Sequence, residues 1–281
     1  MIRTSVTRHI FISLVLLLVF AVSSLRAQTV PTATPTPQPP TAEEIEKAEQ
    51  IIKQAIAALG GEAYLNVRNT IGRGFFSPYK DGKSEPPLRF VDYIVYPDRE
   101  RTEFRGGGGR LIQTHLSDKG WQYDGAAKTL KDLQAREVED FKISMRTSVE
   151  NLLRGWWRKE GGTITYAGRR EAGLARRNLT VRLTYPDGFW VEHEFGAKDG
   201  LPAKTLYQRK YKRPDIDELE TVAEEDRYYT PRTFDGVTAL FIIDHFRAGI
   251  QTGRINYESI DFNQAIPDSL FTKPATIKEI R

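Results

Sequence analysis

The stretch TAEEIEKAEQIIKQAIAALGGEAYLNV, residues 41–67, has the strongest helical pattern in the chain. Thr41 followed by Glu44 has the spacing of a capping box. Gly60 and Gly61 predict the end of the helix, because glycine readily adopts the left-handed conformation found there. We interpret this helix as the plug of a curved sheet, although an ordinary amphipathic helix packed on a core would show the same pattern. Its apolar residues recur at intervals of three and four, the spacing of one helical face: Ile45, Ala48, Ile51, Ile52, Ala55, Ile56 and Leu59.

Two segments precede this helix. Arg3 and Arg8 come before an apolar run at residues 10–22, which is typical of a secretory signal peptide covering residues 1–27. The run is shorter than the roughly 20 residues that span a bilayer, and a retained signal anchor is the alternative. Residues 28–41 contain five prolines and five threonines, which favours an extended linker. We therefore predict a periplasmic or secreted protein with one domain at residues 42–281.

Export would also change the charge of the chain. Residues 1–27 contain Arg3, Arg8 and Arg26 but no acidic residue, so their removal lowers the formal net charge from +4 to +1. Acidic and basic residues are interspersed along the remainder, which argues against a nucleic-acid-binding surface. The chain has no cysteine, which excludes disulfides, thiol catalysis and a lipid-modified N-terminal cysteine.

Short segments with alternating or aromatic-rich character predict antiparallel hairpins. The glycine run at residues 106–109 predicts a hairpin tip, because it lacks the strand-to-helix context and the Lys-Ser/Thr pair of a phosphate loop. Residues 212–226 are highly charged, and we predict a surface loop or short helix there. The predicted strands are residues 70–76, 88–96, 101–105, 110–116, 120–123, 163–167, 178–185, 189–195, 203–211, 228–230, 237–247 and 254–262.

The sequence period changes between the two series of strands, at residues 129–157. The new spacing predicts one helix, or two helices with a break at residues 146–148. Because Trp156 and Trp157 are adjacent, we expect one of them to face away from the main contact of this helix. The residues at three- and four-residue steps are Val138, Phe141, Met145, Val149, Leu152, Leu153 and Trp156.

Candidate catalytic and metal-binding residues are few. His193 lies between Glu192 and Glu194, but in a strand these two side chains point to the opposite face from His193. The sequence lacks the zinc spacing H-E-x-x-H and the nucleophile elbow G-x-S-x-G. No carboxylate pair stands out among the 37 acidic residues. We predict no cofactor, no metal and no enzymatic activity, with a secreted hydrolase that uses carboxylates as the alternative.

Several predicted strands are apolar on both faces. The strand at 88–96 has Tyr93 on one face and Phe90 and Ile94 on the other, and the strand at 237–247 shows the same pattern. Both faces of such a strand are covered by other elements, or one of them lines a dry cavity. The sequence is compatible with either arrangement.

The closing segment RTFDGVTALFIIDHFRAGIQTGRINYESIDFNQAIPDSLFTKP, residues 232–274, resembles the end of the LolA-like outer-membrane lipoprotein carriers. The resemblance rests on its Asp-Gly turn at 235–236, on Asn263, on Ile266-Pro267 and on Phe271-x-x-Pro274. The Asp-Gly-Leu-Pro turn at 199–202 resembles a mid-chain hairpin of the same superfamily. The order of elements over residues 42–274 is also similar: a helix ending in ALGG, strands, helices, further strands and a closing segment.

This resemblance implies an α+β fold, in which an incomplete antiparallel β-barrel forms a curved half-barrel sheet with helices covering its concave face. It implies a lid and plug that include Ile52, Ile56, Phe141, Met145, Leu152 and Trp156. It also implies a sheet wall that includes Trp121, Val181, Leu183 and Phe241.

The expected function is that of an exported, non-enzymatic carrier or sensor that binds a lipid, an acyl chain or a lipidated protein in an apolar cavity. No nucleic acid is expected as a partner, and membrane association is expected to be peripheral or absent. The alternative is a periplasmic regulatory domain on the same fold that binds an envelope protein.

Overall fold

The computed structural model describes residues 39–212 and 219–280. The predicted signal peptide at 1–27 and most of the predicted linker at 28–41 lie outside the described residues, so both stay predictions. None of the helices in the described ranges has the length and apolar character needed to cross a membrane.

The described residues form one 14-stranded antiparallel sheet that is not closed into a barrel, together with a small number of helices. The strands are β1 Asn69–Lys80, β2 Lys83–Ser84, β3 Leu88–Val95, β4 Arg99–Gly106, β5 Gly109–Leu116, β6 Lys119–Asp124, β7 Thr129–Asp132, β8 Thr163–Glu171, β9 Arg177–Thr184, β10 Trp190–Gly196, β11 Pro202–Lys212, β12 Leu219–Phe234, β13 Val237–Arg247 and β14 Ile250–Phe262. The helices are α1 Ala42–Leu59, α2 Glu62–Leu65, α3 Ala135–Thr147 and α4 Val149–Arg154, with 3-10 helices at Trp156–Glu160, Asp268–Leu270 and Ile277–Glu279.

The chain enters the sheet at its middle. β1 pairs with β3 on one side and with β14 on the other, and β2 pairs only with the end of β1. From β3 to β7 the strands run outward to one edge, and from β8 they run back from the opposite edge to β14. α3 and α4 connect the two edges. The predicted α+β architecture, an incomplete half-barrel with helices, is confirmed.

α1 covers the part of the sheet that ends at β8. The Thr41 side chain accepts a hydrogen bond from the Glu44 backbone N–H, and the Glu44 carboxylate accepts one from the Thr41 backbone N–H at 2.8 Å, which confirms the capping box. The buried face of the helix packs against β8 and β9, where Ile164, Val181 and Leu183 are buried. Each such apolar side chain contributes about 2 kcal/mol to stability through burial. The buried residues of α1 are Ala48, Ile51, Ile52, Ala55 and Leu59.

Two glycine turns of the sheet pack against this helix. Gly60, at the end of α1, has φ +122°, and a Cβ placed there would lie 2.2 Å from the carbonyl oxygen of Gly236 in the β12–β13 turn. A Cβ on Gly200, in the β10–β11 turn, would lie 3.2 Å from the Gln54 carbonyl oxygen. The Asp-Gly turns noted in the sequence are therefore the places where the sheet approaches α1 closely.

The closing segment covers part of the other face of the sheet. Trp121 on β6 donates from Nε1 to the Phe271 carbonyl oxygen at 2.8 Å, and Arg101 on β4 donates to the Leu270 carbonyl oxygen at 2.7 Å. Phe271 is buried. Asn263 connects the end of β14 to the start of β1, because its Oδ1 accepts from the Arg68 N–H at 2.7 Å.

The central helical region consists of two helices, α3 and α4, which is one of the two arrangements that the sequence predicted. Ser148 separates them and caps α4 by accepting a hydrogen bond from the Asn151 N–H at 3.1 Å. Trp157 is buried in the core and Trp156 faces a cavity, so the expected divergence of the two indole rings is confirmed. The predicted start of the helix at residue 129 is wrong, because Thr129–Asp132 pairs with β6 as the edge strand β7.

The prediction of a loop or short helix at 212–226 is also wrong at Lys212, which belongs to β11, and at residues 219–226. From Leu219 onward this segment belongs to β12, which pairs with β11 on one side and β13 on the other. Its acidic side chains are compatible with a strand because neighbouring strands supply cations: Glu224 binds Arg247 at 2.7 Å, and Glu225 lies 3.7 Å from Lys204. Residues 213–218 of the segment lie outside the described residues.

The contact between Gly60 and Gly236 can be tested by adding one methyl group. We expect Gly60→Ala to lower the free energy of unfolding by about 3 kcal/mol, because the positive φ and the contact with a backbone oxygen both oppose a Cβ. Urea unfolding measures the change. Gly249→Ala is the matched control: its φ is +77° but no atom lies within 4 Å of the added Cβ, so about 1 kcal/mol is expected. Equal effects at the two positions would contradict the packing argument.

Candidate ligand-binding cavity

A cavity of about 560 Å³ lies between the sheet and helices α2, α3 and α4. Strands β1, β3, β4, β11, β12, β13 and β14 contribute to its wall, and α3 and α4 lie over it on the chain that connects the two sheet edges. Most of the lining is apolar or aromatic. It includes Ile94, Met145, Trp156, Ile243, Tyr257 and Phe262.

The structure places two of the ten predicted ligand-binding residues, Met145 and Trp156, directly at this cavity. Five others belong to the adjoining core between α1, α4 and β9, where they are packed against protein. These five are Ile52, Ile56, Leu152, Val181 and Leu183. The resemblance implied that Val181 and Leu183 belong to a sheet wall that faces a ligand. In the structure, α1 covers the sheet at these two residues.

The remaining three predicted residues have other contacts. Phe141 on α3 stacks on the His115 ring of β5, with a centroid distance of 4.4 Å. Phe241 lies beside the cavity wall, 6.4 Å from the ring of Tyr257. Trp121 contacts the closing segment on the other face of the sheet. Whether any of the ten residues binds a ligand stays a prediction.

Trp121 lies on that other face because of strand register. Trp121 pairs with Thr114, and Thr114 pairs with Arg101, so these three side chains share one face. Glu100, the residue before Arg101, lines the cavity. Successive side chains of a strand point to opposite faces, so Trp121 is on the face away from the cavity.

The cavity wall also contains a pair of carboxyl groups that the sequence did not reveal. The Thr102 hydroxyl oxygen lies 2.8 Å from Oδ1 of Asp92 and 3.2 Å from Oε1 of Glu100. One hydroxyl has one proton to donate, so it can hydrogen-bond both carboxyls only when one of them is protonated. Burial raises the pKa of Asp92 well above its usual range, and the charge of Glu100 raises it further. Burial also raises the pKa of Glu100.

A third carboxyl group and an arginine face the cavity from α4. Burial raises the pKa of Glu150, while the charge of Arg154 opposes the shift. Arg154 donates hydrogen bonds to three main-chain carbonyl oxygens at the α2–β1 corner: Tyr64 at 2.9 Å, Leu65 at 3.1 Å and Val67 at 2.9 Å. Arg154 therefore fastens α4 to that corner of the sheet.

Charged side chains at β12 and β13 form a second polar part of the cavity. His245 Nδ1 lies 2.6 Å from Asp226 Oδ1, and Arg247 binds Glu224. Burial alone would lower the pKa of His245, but the hydrogen bond and charge of Asp226 raise it overall. These charges are thus compensated in pairs, unlike the Asp92 and Glu100 carboxyls.

One sequence signal could have indicated Asp92. It occupies the same strand face as Phe90 and Ile94, so a single carboxyl interrupts an otherwise apolar face of β3. Glu100, Glu150 and Arg154 gave no such signal. Their neighbours in the cavity come from distant parts of the chain.

His193, considered above as a possible metal ligand, is buried between strands. Its Nδ1 lies 3.0 Å from the Thr205 hydroxyl, which in turn lies 3.0 Å from the hydroxyl of Tyr228 at the cavity wall. Burial lowers the pKa of His193 to about 3. Among residues 39–212 and 219–280, no group of three or more His, Asp or Glu side chains is arranged to hold a metal ion.

Comparisons with known proteins identify the fold. The chain resembles the solved structure of a DUF1329 family protein from Desulfovibrio piger, with TM-score 0.55, 10% identity, and 82% of this chain and 97% of that chain covered. A domain named as a candidate outer membrane lipoprotein-sorting protein from Vibrio parahaemolyticus gives TM-score 0.53 and 11% identity, covering 80% and 97%. A LolA superfamily protein from Nitrosomonas europaea gives 0.50 and 13%, covering 80% and 97%.

The chain therefore has the LolA-like fold, which confirms the resemblance noted in its sequence. No protein-family model matches the chain, and no curated protein matches it in sequence. At identities of 10–13% these likenesses concern the fold.

The raised pKa of Asp92 gives the stability of the protein a defined pH dependence. A carboxyl whose pKa is raised by folding stabilises the folded state below its unfolded pKa of about 3.9, and that stability is lost as pH rises through the folded pKa. Asp92→Asn keeps an acceptor for Thr102 but cannot ionise. We expect its Tm to match that of the wild type near pH 4 and to exceed it near pH 8, measured by circular dichroism.

Asp187→Asn is a control variant for which we expect the opposite dependence of stability on pH. The hydrogen bond from Arg146 lowers the pKa of Asp187, so the stability it contributes is present at neutral pH and lost as pH falls. This exposed variant should match the wild type in acid and be slightly less stable near pH 8. A wild-type pH profile in Asp92→Asn would contradict the assigned burial of this carboxyl.

Proposed function

We propose that this protein is an exported, non-enzymatic carrier or sensor that binds a lipid or an acyl chain in the cavity under α3 and α4. The observation that supports the proposal is the cavity itself, about 560 Å³ in volume and lined mainly by apolar and aromatic side chains. Small-molecule sites have volumes of about 300–1,000 Å³ and this type of lining. Each CH₂ group buried in such a site contributes about 0.8 kcal/mol.

The LolA-like fold supports the same proposal by analogy. Two of the structural neighbours are named for lipoprotein sorting or for the LolA superfamily. An export signal at residues 1–27 would place the protein in the periplasm or outside the cell, where such cargo is transported. Lipidated proteins are then a further class of ligand, because their acyl chains present the same chemistry as free lipids.

A second candidate function is a regulatory domain that binds an envelope protein. It is supported by apolar side chains that the described surface leaves in contact with solvent. Leu174, in the β8–β9 turn, is fully exposed, and Leu219 and Ile250 are 65% and 58% exposed. Co-purification of one stable partner that is lost in Leu174→Asp, while the isolated protein has an empty cavity, would favour this function over the carrier.

Filling the cavity tests the carrier proposal. Ala239 lines the cavity, and we expect Ala239→Trp to weaken binding of a fluorescent fatty acid at least tenfold, because the indole ring occupies the ligand volume. The matched control is Ile250→Trp, which adds the same ring at an exposed turn and should bind as the wild type does. Thermal unfolding checks that both variants are folded.

Native mass spectrometry provides the complementary measurement. We expect protein purified from envelope fractions without detergent to carry a bound mass in the lipid range that detergent removes. An apoprotein mass, together with no binding of the fluorescent fatty acid by the wild type, would contradict the carrier proposal. Equal binding by Ala239→Trp and the wild type would place the ligand elsewhere.

A further inference from the structure

Three carboxyl groups in the cavity are not explained by an acyl chain. Among the described residues, no Lys or Arg nitrogen forms an ion pair with Asp92, Glu100 or Glu150. Elsewhere on the sheet, buried carboxyls such as Glu103 and Asp244 have arginine partners, at 2.7 and 2.5 Å. Burying a carboxylate without a cation is costly, and an acyl chain would supply no compensation.

Aromatic rings and an unpaired hydroxyl adjoin these carboxyls. Tyr64, Tyr96, Trp156 and Tyr257 line the same cavity. The Tyr64 side chain is 6% exposed, and its hydroxyl has no hydrogen-bond partner among the described residues. An unpaired buried hydroxyl beside a cavity is a position where a ligand can supply the missing hydrogen bond.

We propose that this part of the cavity binds the amino group of an amphipathic ligand, so that the cargo is an amine-bearing lipid or long-chain amine. This inference rests on the proposed function, since the apolar part of the cavity would hold the chain. An ammonium group has three hydrogen-bond donors and no acceptor, which matches the carboxyl oxygens of Asp92 and Glu100. Aromatic ring faces also attract cations.

The other charges around the cavity are consistent with this assignment. From α4, Glu150 adds negative charge, and the guanidinium of Arg154 is directed to main-chain carbonyls. On β12 and β13, the acids are already compensated by His245 and Arg247. The uncompensated charge on the cavity wall is therefore acidic and is concentrated at Asp92 and Glu100.

Binding would release a proton from the protein. With the cavity empty, the Asp92 and Glu100 pair retains a proton that bridges to the Thr102 hydroxyl. A ligand ammonium is already charged at neutral pH, since its pKa is about 10, so it brings its own proton, and its positive charge beside the pair favours ionisation of the carboxyl that is still protonated. The carboxyl proton leaves to solvent, and affinity for the amine should increase as pH rises.

The contribution of the amino group to affinity can be separated from that of the alkyl chain with three ligands that differ in their head groups: dodecylamine, dodecanol and dodecanoate. We expect isothermal titration calorimetry of the full protein near pH 7.5 to give at least tenfold tighter binding of dodecylamine than of either other ligand. Repeating the amine titration in two buffers of different ionisation enthalpy should show about one proton released per ligand. The amine preference should decrease toward pH 5.

The double variant Asp92→Asn with Glu100→Gln tests the residues. We expect the ratio of amine to alcohol affinity to fall close to one and the proton release to disappear. Glu43→Gln, an exposed change on α1, should keep both at wild-type values. A ratio unchanged in the double variant would overturn the assignment to Asp92 and Glu100.

The outcomes distinguish this inference from the function on which it rests. Equal affinity of the wild type for all three ligands would overturn the amine inference and leave the carrier proposal supported. Binding of none of the three would contradict both. Tighter binding of dodecanoate than of dodecylamine would also overturn the inference, because it would show that a cation, such as Arg154, dominates the site.

Discussion

The packing of α1 against one half of the sheet is the contact on which the other features depend. Its apolar face fills the space over β8 and β9, and glycines let two turns approach the helix closely, at Gly60 against Gly236 and at Gly200 against Gln54. Protein interiors are close-packed, and the side chains of α1 are packed in this way against the sheet face that they cover at β8 and β9. The cavity adjoins this packed region and lies under α3 and α4.

The helices over the cavity are constrained at several points. α3 and α4 connect the two edge strands, β7 and β8, so their position depends on both ends of the sheet. Phe141 holds α3 to β5 by stacking on His115, and Arg154 holds α4 to the α2–β1 corner through three carbonyl groups. These contacts fix α3 and α4 in position over the cavity.

The cavity combines an apolar lining with carboxyl groups whose pKa values are raised. For stability alone, an apolar side chain in place of Asp92 or Glu100 would serve better, since an unpaired carboxyl is costly to bury. Groups with perturbed pKa values that line a cavity are common at functional sites. This combination is the basis for proposing an amphipathic ligand with a hydrogen-bond-donating end.

The sequence by itself determined the local elements, because helix caps, apolar periodicity and glycine turns act over a few residues. The capping box at Thr41, a helical region with a break at residues 146–148 as one of two arrangements, and most strands could be predicted from these local patterns. The strand at residues 219–226 could not, since Glu224 and Glu225 pair with Arg247 and Lys204 on neighbouring strands. Local polarity does not show such partners.

The tertiary structure alone decided which face of each strand meets the cavity and which residues meet there. Trp121 and Glu100 are on opposite faces because of a register that extends across β4, β5 and β6. Asp92 and Glu150 are far apart in sequence and are brought to the same cavity by the path of α4 across the sheet. Side chains alternate between the two faces of a strand with a period of two. This alternation does not show which face is buried, so only the packing of the helices distinguishes the two faces.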